Sequence, residues 1–576
     1  MTEVEYAGNR QHDTDDIEEP KPPQAFSSSA AIVFSCLGTV VGTGNIWRFP
    51  RIAAQNSASQ GTLIFLVTWF VFLFLWSSPM LLIEYAIGRY FKKSPIQSFR
   101  KAMGDKFVWC GAWVTSVTFL ISCYYSVVLG WCFYYVYKTI QLSATGELPQ
   151  AEPESQEIFE AFAEKSYWPI MCHGLAILAS GACVIGGITW IEKANMVLVP
   201  TLLLIIVGTY CWSVLNKYSD YGIKFLFTPD LEALQDPRLW VDSASQNAFD
   251  TGAAMGLIVP YATYMTRKHG VVRFSTLIPA MNNFVSMLCA LTIFSTVFST
   301  LIQTQSTLSR TGIVEIIKQS GPASTGLTFI WIPVLFAQVD ILGKILCVLF
   351  FLCLSFAGVS SLIANFELTS LTLQDFGIPR KYGTPIVIIA TFLIGLPSAM
   401  EIEILRNQDF VWGFALMLSG IMFQLLVIKY GVRKFQQEVV NDYGEKDWRL
   451  TIVTMIIIVV IAPLEAVGLL AWWALELIRS TADEAPGNRW YDYGVETFVT
   501  VITEWVALLL LLLFVNVLVY YLRPSWMRED TDESKYANGD GQFELKSSGA
   551  YSRPFEPGAV NSAYVNSNEN LSDVKY

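Results

Sequence analysis

The sequence predicts an all-α polytopic membrane protein of twelve transmembrane helices, built as an inverted 5+5 repeat with helices 1 and 6 broken. Three observations predict it. Of 576 residues, 53% are hydrophobic and 15% charged, whereas a soluble domain carries about a quarter charged. The apolar residues fall into runs of roughly 20 or more, enough to cross a hydrocarbon layer of about 30 Å as helices. Glycines and polar residues interrupt the first and sixth runs at corresponding positions. The composition excludes a disordered chain and a disulfide scaffold, and the net charge of -11 excludes a basic nucleic-acid binder.

In chain order, residues 1–23 set Glu3, Glu5, Asp13, Asp15, Asp16, Glu18 and Glu19 against only Arg10 and Lys21. Such a segment buries no core and is expected to be a disordered acidic tail; residues 524–576 are read the same way, leaving 24–523 as the transmembrane domain. No secretory leader is read before the first apolar run. Spans are read near 28–52, 62–88, 109–138, 168–188, 194–214 and 240–265, then 272–303, 333–374, 383–402, 409–430, 451–477 and 494–522. Lys and Arg concentrate in the 89–106 and 430–450 links, which places those links and both termini in the cytoplasm, the plasma membrane being the expected location. The Glu-rich segment 141–166 then faces outward. The ten cysteines sit in or beside apolar runs and read as packing residues, and three histidines are too few for an imidazole metal site.

The first broken span holds Gly38, Gly42 and Gly44 among Thr39, Thr43 and Asn45; the sixth holds Asp250, Thr251, Gly252, Gly256 and Pro260. One such span is accounted for by close helix packing. Two at matching positions point to unwound helices around a midplane site. Asp250 is the most informative residue, because an acid at a helix centre costs about 2.5–3.5 kcal/mol and needs a partner. No basic residue lies in the middle of neighbouring spans, so a bound cation is the better partner, with Asn45, Asn282, Ser360 and Ser361 as further oxygen donors. Glu84, a second buried acid, is expected to bond backbone NH groups of an unwound helix. There is no nucleophile and base constellation and no cofactor motif, so an enzyme is not expected.

The run Val41-Gly-Thr-Gly-Asn-Ile-Trp-Arg-Phe-Pro50 resembles the neurotransmitter:sodium symporter family, the solute carrier 6 group with its bacterial amino acid transporters. The resemblance continues through Pro79-Met-Leu-Leu-Ile-Glu-Tyr-Ala-Ile-Gly-Arg-Tyr90, Tyr124-Tyr125, Pro333-Val-Leu-Phe-Ala-Gln338 and Phe356-Ala-Gly-Val-Ser-Ser361, and covers roughly residues 24–520. It implies a sodium-coupled symporter of neutral amino acids working by alternating access. The alternatives are a transport-inactive amino acid sensor on the same fold, or a symporter of another small zwitterionic or osmolyte substrate. The partners implied are the amino acid, one or two sodium ions and the bilayer, with no nucleic acid and an unknown oligomeric state.

By the same resemblance, one sodium site uses the carbonyls of Gly38, Val41 and Ala357 with the hydroxyls of Ser360 and Ser361. The other uses the Val40 carbonyl, Asn45, Asp250 and Asn282, with the substrate carboxylate as a further ligand. The family usually carries Ser or Thr where Asp250 stands, and many members need chloride. Ser286 falls at the chloride position and Trp69 replaces the usual Tyr, so Asp250 is expected to supply the negative charge and chloride is not required. Amine transporters carry an Asp at the position of Gly42. Gly42 instead leaves room for a substrate carboxylate, held near Gly44 and the Tyr125 hydroxyl. The side-chain pocket is assigned to Val40, Thr43, Ile121, Phe249, Gly252, Met255, Ser361 and Asn365. Arg48 with Asp409 forms the expected outer gate. Tyr264 and Asp375 belong to the inner one, where Lys21 either reaches Asp375 or makes a surface salt bridge of no consequence.

Overall fold

The computed structural model describes residues 25–57, 60–146, 148–266, 268–304, 309–318, 326–339, 341–483 and 489–522. All of these belong to one compact unit, Gln24–Glu529. Both expected tails, Lys21 among them, lie outside the described residues. The described residues contain ten helices long and apolar enough to cross a membrane.

The chain opens with α1 (Ser29–Val40), α2 (Thr43–Ile46) and α3 (Arg48–Gln55). Then come α4 (Leu63–Phe91), α5 (Pro95–Met103), α6 (Val108–Thr145), α7 (Trp168–Ile185) and α8 (Ile188–Val214). The second interrupted stretch is α9 (Pro237–Thr251) and α10 (Ile258–Thr263). Last are α11 (Val271–Thr304), α12 (Ile341–Asp375), α13 (Arg380–Met400), α14 (Ile402–Tyr430), α15 (Ile452–Ala482) and α16 (Phe498–Leu522). One span differs from the sequence reading of 333–374. Pro333, whose missing N–H is harmless in a first turn, begins a separate short helix Ile332–Ala337, and the long helix starts only at Ile341.

Apolarity alone does not sort these helices, but burial does. The most apolar windows of α4, α6, α11 and α12 are 67–72% buried, against 22% for α8 and α15 and 11% for α16. The first group forms the core and the last three present apolar surface outward, as helices in a hydrocarbon solvent do.

The breaks are built in detail. α1 ends in the extended residue Val41, and α2 restarts after Gly42, whose N–H donates to Asn45 Oδ1 at 2.8 Å. Asn45 thus caps the helix on which it sits. Between α9 and α10 the chain passes through the left-handed region at Gly252 (φ 62°), Ala254 (φ 71°) and Gly256 (φ 77°). The alanine is the strained one, because a left-handed L-residue costs roughly 1–2 kcal/mol. Glu84 of α4 holds it there: its two carboxylate oxygens accept from Ala254 N at 2.9 Å and Ile258 N at 3.2 Å. Thr118 of α6 donates to the Met255 carbonyl at 2.6 Å. Glu84 therefore does the work expected of it, satisfying peptide groups released by unwinding. One turn further along α4, a β-carbon at Gly88 would stand 2.4 Å from the Val259 carbonyl oxygen. Only glycine lets α4 reach α10 so closely.

Glu84→Gln tests this support. An amide cannot accept through its nitrogen, so one of the two peptide NH groups loses its partner, at a cost of about 1–3 kcal/mol. The expected outcome is a lower unfolding temperature in detergent with unchanged helix content below it, read by circular dichroism.

Candidate substrate and cation site

The two breaks meet at a cavity of ≈ 440 Å³, its open mouth included. The structure brings every residue expected around the substrate to its wall. Val40, Gly42, Thr43 and Gly44 come from the first break, Ile121 and Tyr125 from α6, Phe249, Gly252 and Met255 from the second break, and Ser361 and Asn365 from α12. Asn45 and Asp250 line it too, as do Thr39, already noted in the first break, and Leu257, which sequence reasoning passed over. The only signal for Leu257 was adjacency to the second break.

Val40, Ile121, Phe249, Met255 and Leu257 give the cavity an apolar side, and its polar groups are few and neutral apart from Asp250. Thr43 Oγ1 donates to the Tyr125 hydroxyl at 3.2 Å. Asn365 Nδ2 donates to the Ser361 carbonyl at 2.9 Å, while its Oδ1 is buried with no hydrogen-bond partner. A β-carbon at Gly42 would lie 3.1 Å from Ser361 Oγ and 3.5 Å from the Tyr125 hydroxyl. The absence of a side chain at position 42 is therefore part of the cavity.

Beside it stands a cluster of oxygens. One amide atom of Asn282 lies 2.9 Å from the Val40 carbonyl oxygen and 3.3 Å from that of Asp250, and Asn45 Nδ2 is 2.8 Å away. With its nitrogen inward Asn282 donates to both carbonyls; with its oxygen inward it faces them, an arrangement that a hard monovalent cation stabilises. On the far side of the first break, Ser361 Oγ donates to the Gly38 carbonyl at 3.5 Å and Ser360 Oγ to the Ala357 carbonyl at 3.0 Å. Val41 is the extended residue between α1 and α2. Among the described residues no group of three or more His, Cys, Asp or Glu is placed to hold a metal. The oxygens gathered there are carbonyl and amide oxygens, the donors of an alkali cation, and so the residues fit sodium.

The Asp250 carboxylate is held by neutral donors. Gln246 Nε2, one turn earlier on α9, donates to Oδ1 at 2.6 Å, and Ser286 Oγ donates to Oδ2 at 3.3 Å. Ser286 in turn accepts from Asn45 Nδ2 at 2.7 Å, linking the carboxylate to the first break. Sequence reasoning did not single out Gln246, although its i−4 spacing from Asp250 was a usable signal. Trp69 is buried against Phe49, ring centroids 4.4 Å apart, and its carbonyl accepts from Asn247 Nδ2 at 2.8 Å.

The expected gates need correction. Among the described residues no ion pair joins Arg48 to Asp409. The Arg48 guanidinium lies 4.2 Å from the centroid of the Phe249 ring, where the π-face offers it an alternative partner. Asp375 pairs with Lys93 at 3.2 Å and accepts from Ser94 N at 2.7 Å. Tyr264 turns instead to a network that the sequence reading missed. Its hydroxyl donates to Glu367 Oε1 at 2.7 Å and accepts from Arg380 Nη2 at 3.1 Å. Arg380 holds both oxygens of Glu367, the Nη1 to Oε2 contact being 2.8 Å, and the Glu367 side chain is wholly buried. Phe26 closes over this group, its ring centroid 6.3 Å from those of Tyr261 and Tyr264. An acid inside the apolar run of α12, with an Arg just beyond its end, was the available signal.

The family described as the sodium:neurotransmitter symporter family has a model that matches residues 23–167 and 155–523. The chain is 26% identical over 414 residues to an uncharacterised sodium-dependent transporter of Methanocaldococcus jannaschii, covering 70% of this chain and 80% of that one. It is 22% identical over 533 residues to the sodium-dependent neutral amino acid transporter B(0)AT1 of Mus musculus, covering 77% and 82%. Its fold is similar to the crystal structure of MhsT in complex with L-phenylalanine, with a TM-score of 0.66 and 23% identity over 78% of this chain and 99% of that one.

Arg380→Ala leaves Glu367 buried without its cation, at an expected cost of about 3–5 kcal/mol. Thermal unfolding in detergent should show a large drop in midpoint, and the double variant Arg380→Ala/Glu367→Gln should recover part of it. Equal midpoints for the single variant and the parent protein would sink the assignment.

Proposed function

We propose, from the premise that this chain belongs to the sodium:neurotransmitter symporter family, that it is a sodium-coupled symporter of neutral amino acids working by alternating access without chloride. A family of transporters, and not of enzymes, is the frame. Within it the twelve spans form an inverted 5+5 repeat, with α1–α3 and α9–α10 as its broken first and sixth members and both termini in the cytoplasm.

The observation that carries the reading is the convergence of the Val40 carbonyl, Asp250 and Asn282 beside a cavity whose side-chain end is apolar. A substrate carboxylate entering near Gly42 and Gly44 meets helix-start NH groups, the Tyr125 hydroxyl and a sodium ion in this cluster. If the carboxylate completes the ion's shell, each ligand raises the other's affinity by the same factor, and a sodium gradient can drive the amino acid uphill. The second ion is assigned to Gly38, Val41, Ala357, Ser360 and Ser361. A neutral cargo follows from the lining, where no basic side chain is present and the one acid is committed to the ion. Phe249 under Arg48 serves as the outer lid. The Tyr264, Glu367 and Arg380 network, with Asp375 on Lys93, is the inner closure.

Chloride independence rests on Asp250, whose carboxylate lies between the donors Gln246 and Ser286 where an anion would otherwise balance the bound cations. Uptake of a labelled neutral amino acid into proteoliposomes should require an inward sodium gradient and persist when chloride is replaced by gluconate. Asp250→Ser removes the fixed charge and should make uptake chloride-stimulated; parent uptake that collapses in gluconate would refute the chloride part of the reading. Gly42→Asp should abolish binding of zwitterionic amino acids, measured by competition with the twenty amino acids, because its carboxylate takes the place of the substrate's.

A further inference from the structure

Glu465 stands 13 residues into α15 (Ile452–Ala482), about 20 Å along it at 1.5 Å per residue and so close to mid-membrane. Both of its carboxyl oxygens are buried, and among the described residues neither has a hydrogen-bond partner. Glu84, Asp250 and Glu367 each accept from a donor; Glu465 does not. The helix around it is shaped. Just before it, Ile457–Ile461 runs as a π-helix and packs on a second one, Leu73–Ser77 of α4. A π turn takes up one extra residue, which rotates all that follows by about 100°. In the resulting setting Ala462 and Ala466 are buried while Leu464 and Val467 are exposed, and the half-buried Glu465 sits on the border with its polar end inside protein.

Among the described residues no charge from the neighbouring elements reaches this carboxyl. α15 lies against α4, α9, α14 and α16. On α9, Arg238 acts on Asp242, which accepts from Asn56, and Asp250 is held by Gln246. On α14, Arg406 joins Glu403 and Glu496, Lys429 lies over Phe107, and Asp409 feels Arg48. On α4, Glu84 and Arg89 are bonded to backbone groups, and on α16 Glu504 accepts from Gln408. Tyr85, Tyr90 and Tyr430 pack on other rings, as Tyr520 and Tyr521 do on each other. Glu476 and Arg479 of α15 itself are about three turns or more away.

We propose that Glu465 is a proton-binding site within the membrane domain: in this packing its carboxyl is a neutral acid, and the proton does for it what a donor or a cation does for the other buried acids. An isolated carboxylate is too costly to persist in an apolar interior, and without a partner protonation is the remaining way to avoid it. The proton leaves only to water, so its release requires α15 to part from α9 or α14 far enough to hydrate the carboxylate. α9 carries Phe249 and Asp250 into the cavity wall, which ties the proton to the packing of a helix beside the cavity. Glu465 itself lies outside the cavity lining, and its proton is independent of the cargo.

The test is infrared spectroscopy of the purified full-length protein in lipid at neutral pH, comparing the parent with Glu465→Gln. The parent should show the carbonyl stretch of a protonated carboxylic acid that the variant lacks, with equal carboxylate bands in the two. Carboxylate bands that shrink in the variant, with the acid band unchanged, overturn the proposal. A second reading is the unfolding midpoint in detergent as pH is raised. Above the ordinary glutamic acid value of about 4.3 the unfolded chain has released a proton that the folded one keeps, so the unfolding equilibrium constant rises up to about tenfold per pH unit. That share is absent from Glu465→Gln, so the parent's midpoint should fall more steeply with pH than the variant's; equal slopes overturn the proposal. If Glu465→Gln fails to fold, Glu465→Leu serves for both measurements, since a neutral acid without partners gives up no bond to an apolar side chain.

Discussion

A peptide group that leaves a helix at membrane depth has no water to bond, and the rest of this structure depends on how that constraint is met. The chain leaves the helix twice, around Gly42 and from Gly252 to Gly256. Each time the freed groups are taken up by a side chain, Asn45 within the first break and Glu84 and Thr118 reaching to the second. That support fixes the position of the breaks, and with it the carbonyls of Val40 and Asp250 beside Asn282. With its amide nitrogen turned inward Asn282 donates to both carbonyls; in the proposed reading a cation takes that place beside a substrate carboxylate.

The same economy governs charge. A carboxylate inside an apolar bundle must be neutralised, bonded or paired, and three acids here meet the requirement in three ways. Glu84 accepts from backbone N–H groups, Asp250 from Gln246 and Ser286 beside the cation cluster, and Glu367 from Arg380 and Tyr264. Only Asp250 borders the cavity. Glu84 braces the second break and Glu367 ties α12 to Arg380 and Tyr264, while Asp250 stands at the cavity wall.

Much of the architecture was legible because hydropathy is a local property. Runs of about 20 apolar residues mark the long helices whatever their neighbours, and Gly252, at φ 62°, marks the second break because few other residues tolerate that backbone. Glu84 was legible for a similar reason, since an acid in an apolar run facing an unwound helix has few other uses. The pairings were not. Arg48 over Phe249, Glu367 with Arg380 and Tyr264, and Lys93 on Asp375 join residues from 13 to 282 positions apart along the chain, and nothing in the spacing selects one partner over another. Leu257 and Gln246 belong to the same class.

By itself the sequence determined that the chain crosses a membrane as helices, that two of them unwind, and which residue types stand at the breaks, because transfer of side chains and peptide groups out of water depends on residue identity and near neighbours. Only the tertiary structure decided which buried acid meets the cavity and which cation holds which carboxylate. Those outcomes depend on distances of a few ångströms between distant segments, and hydrogen bonds and ion pairs are lost within about that range.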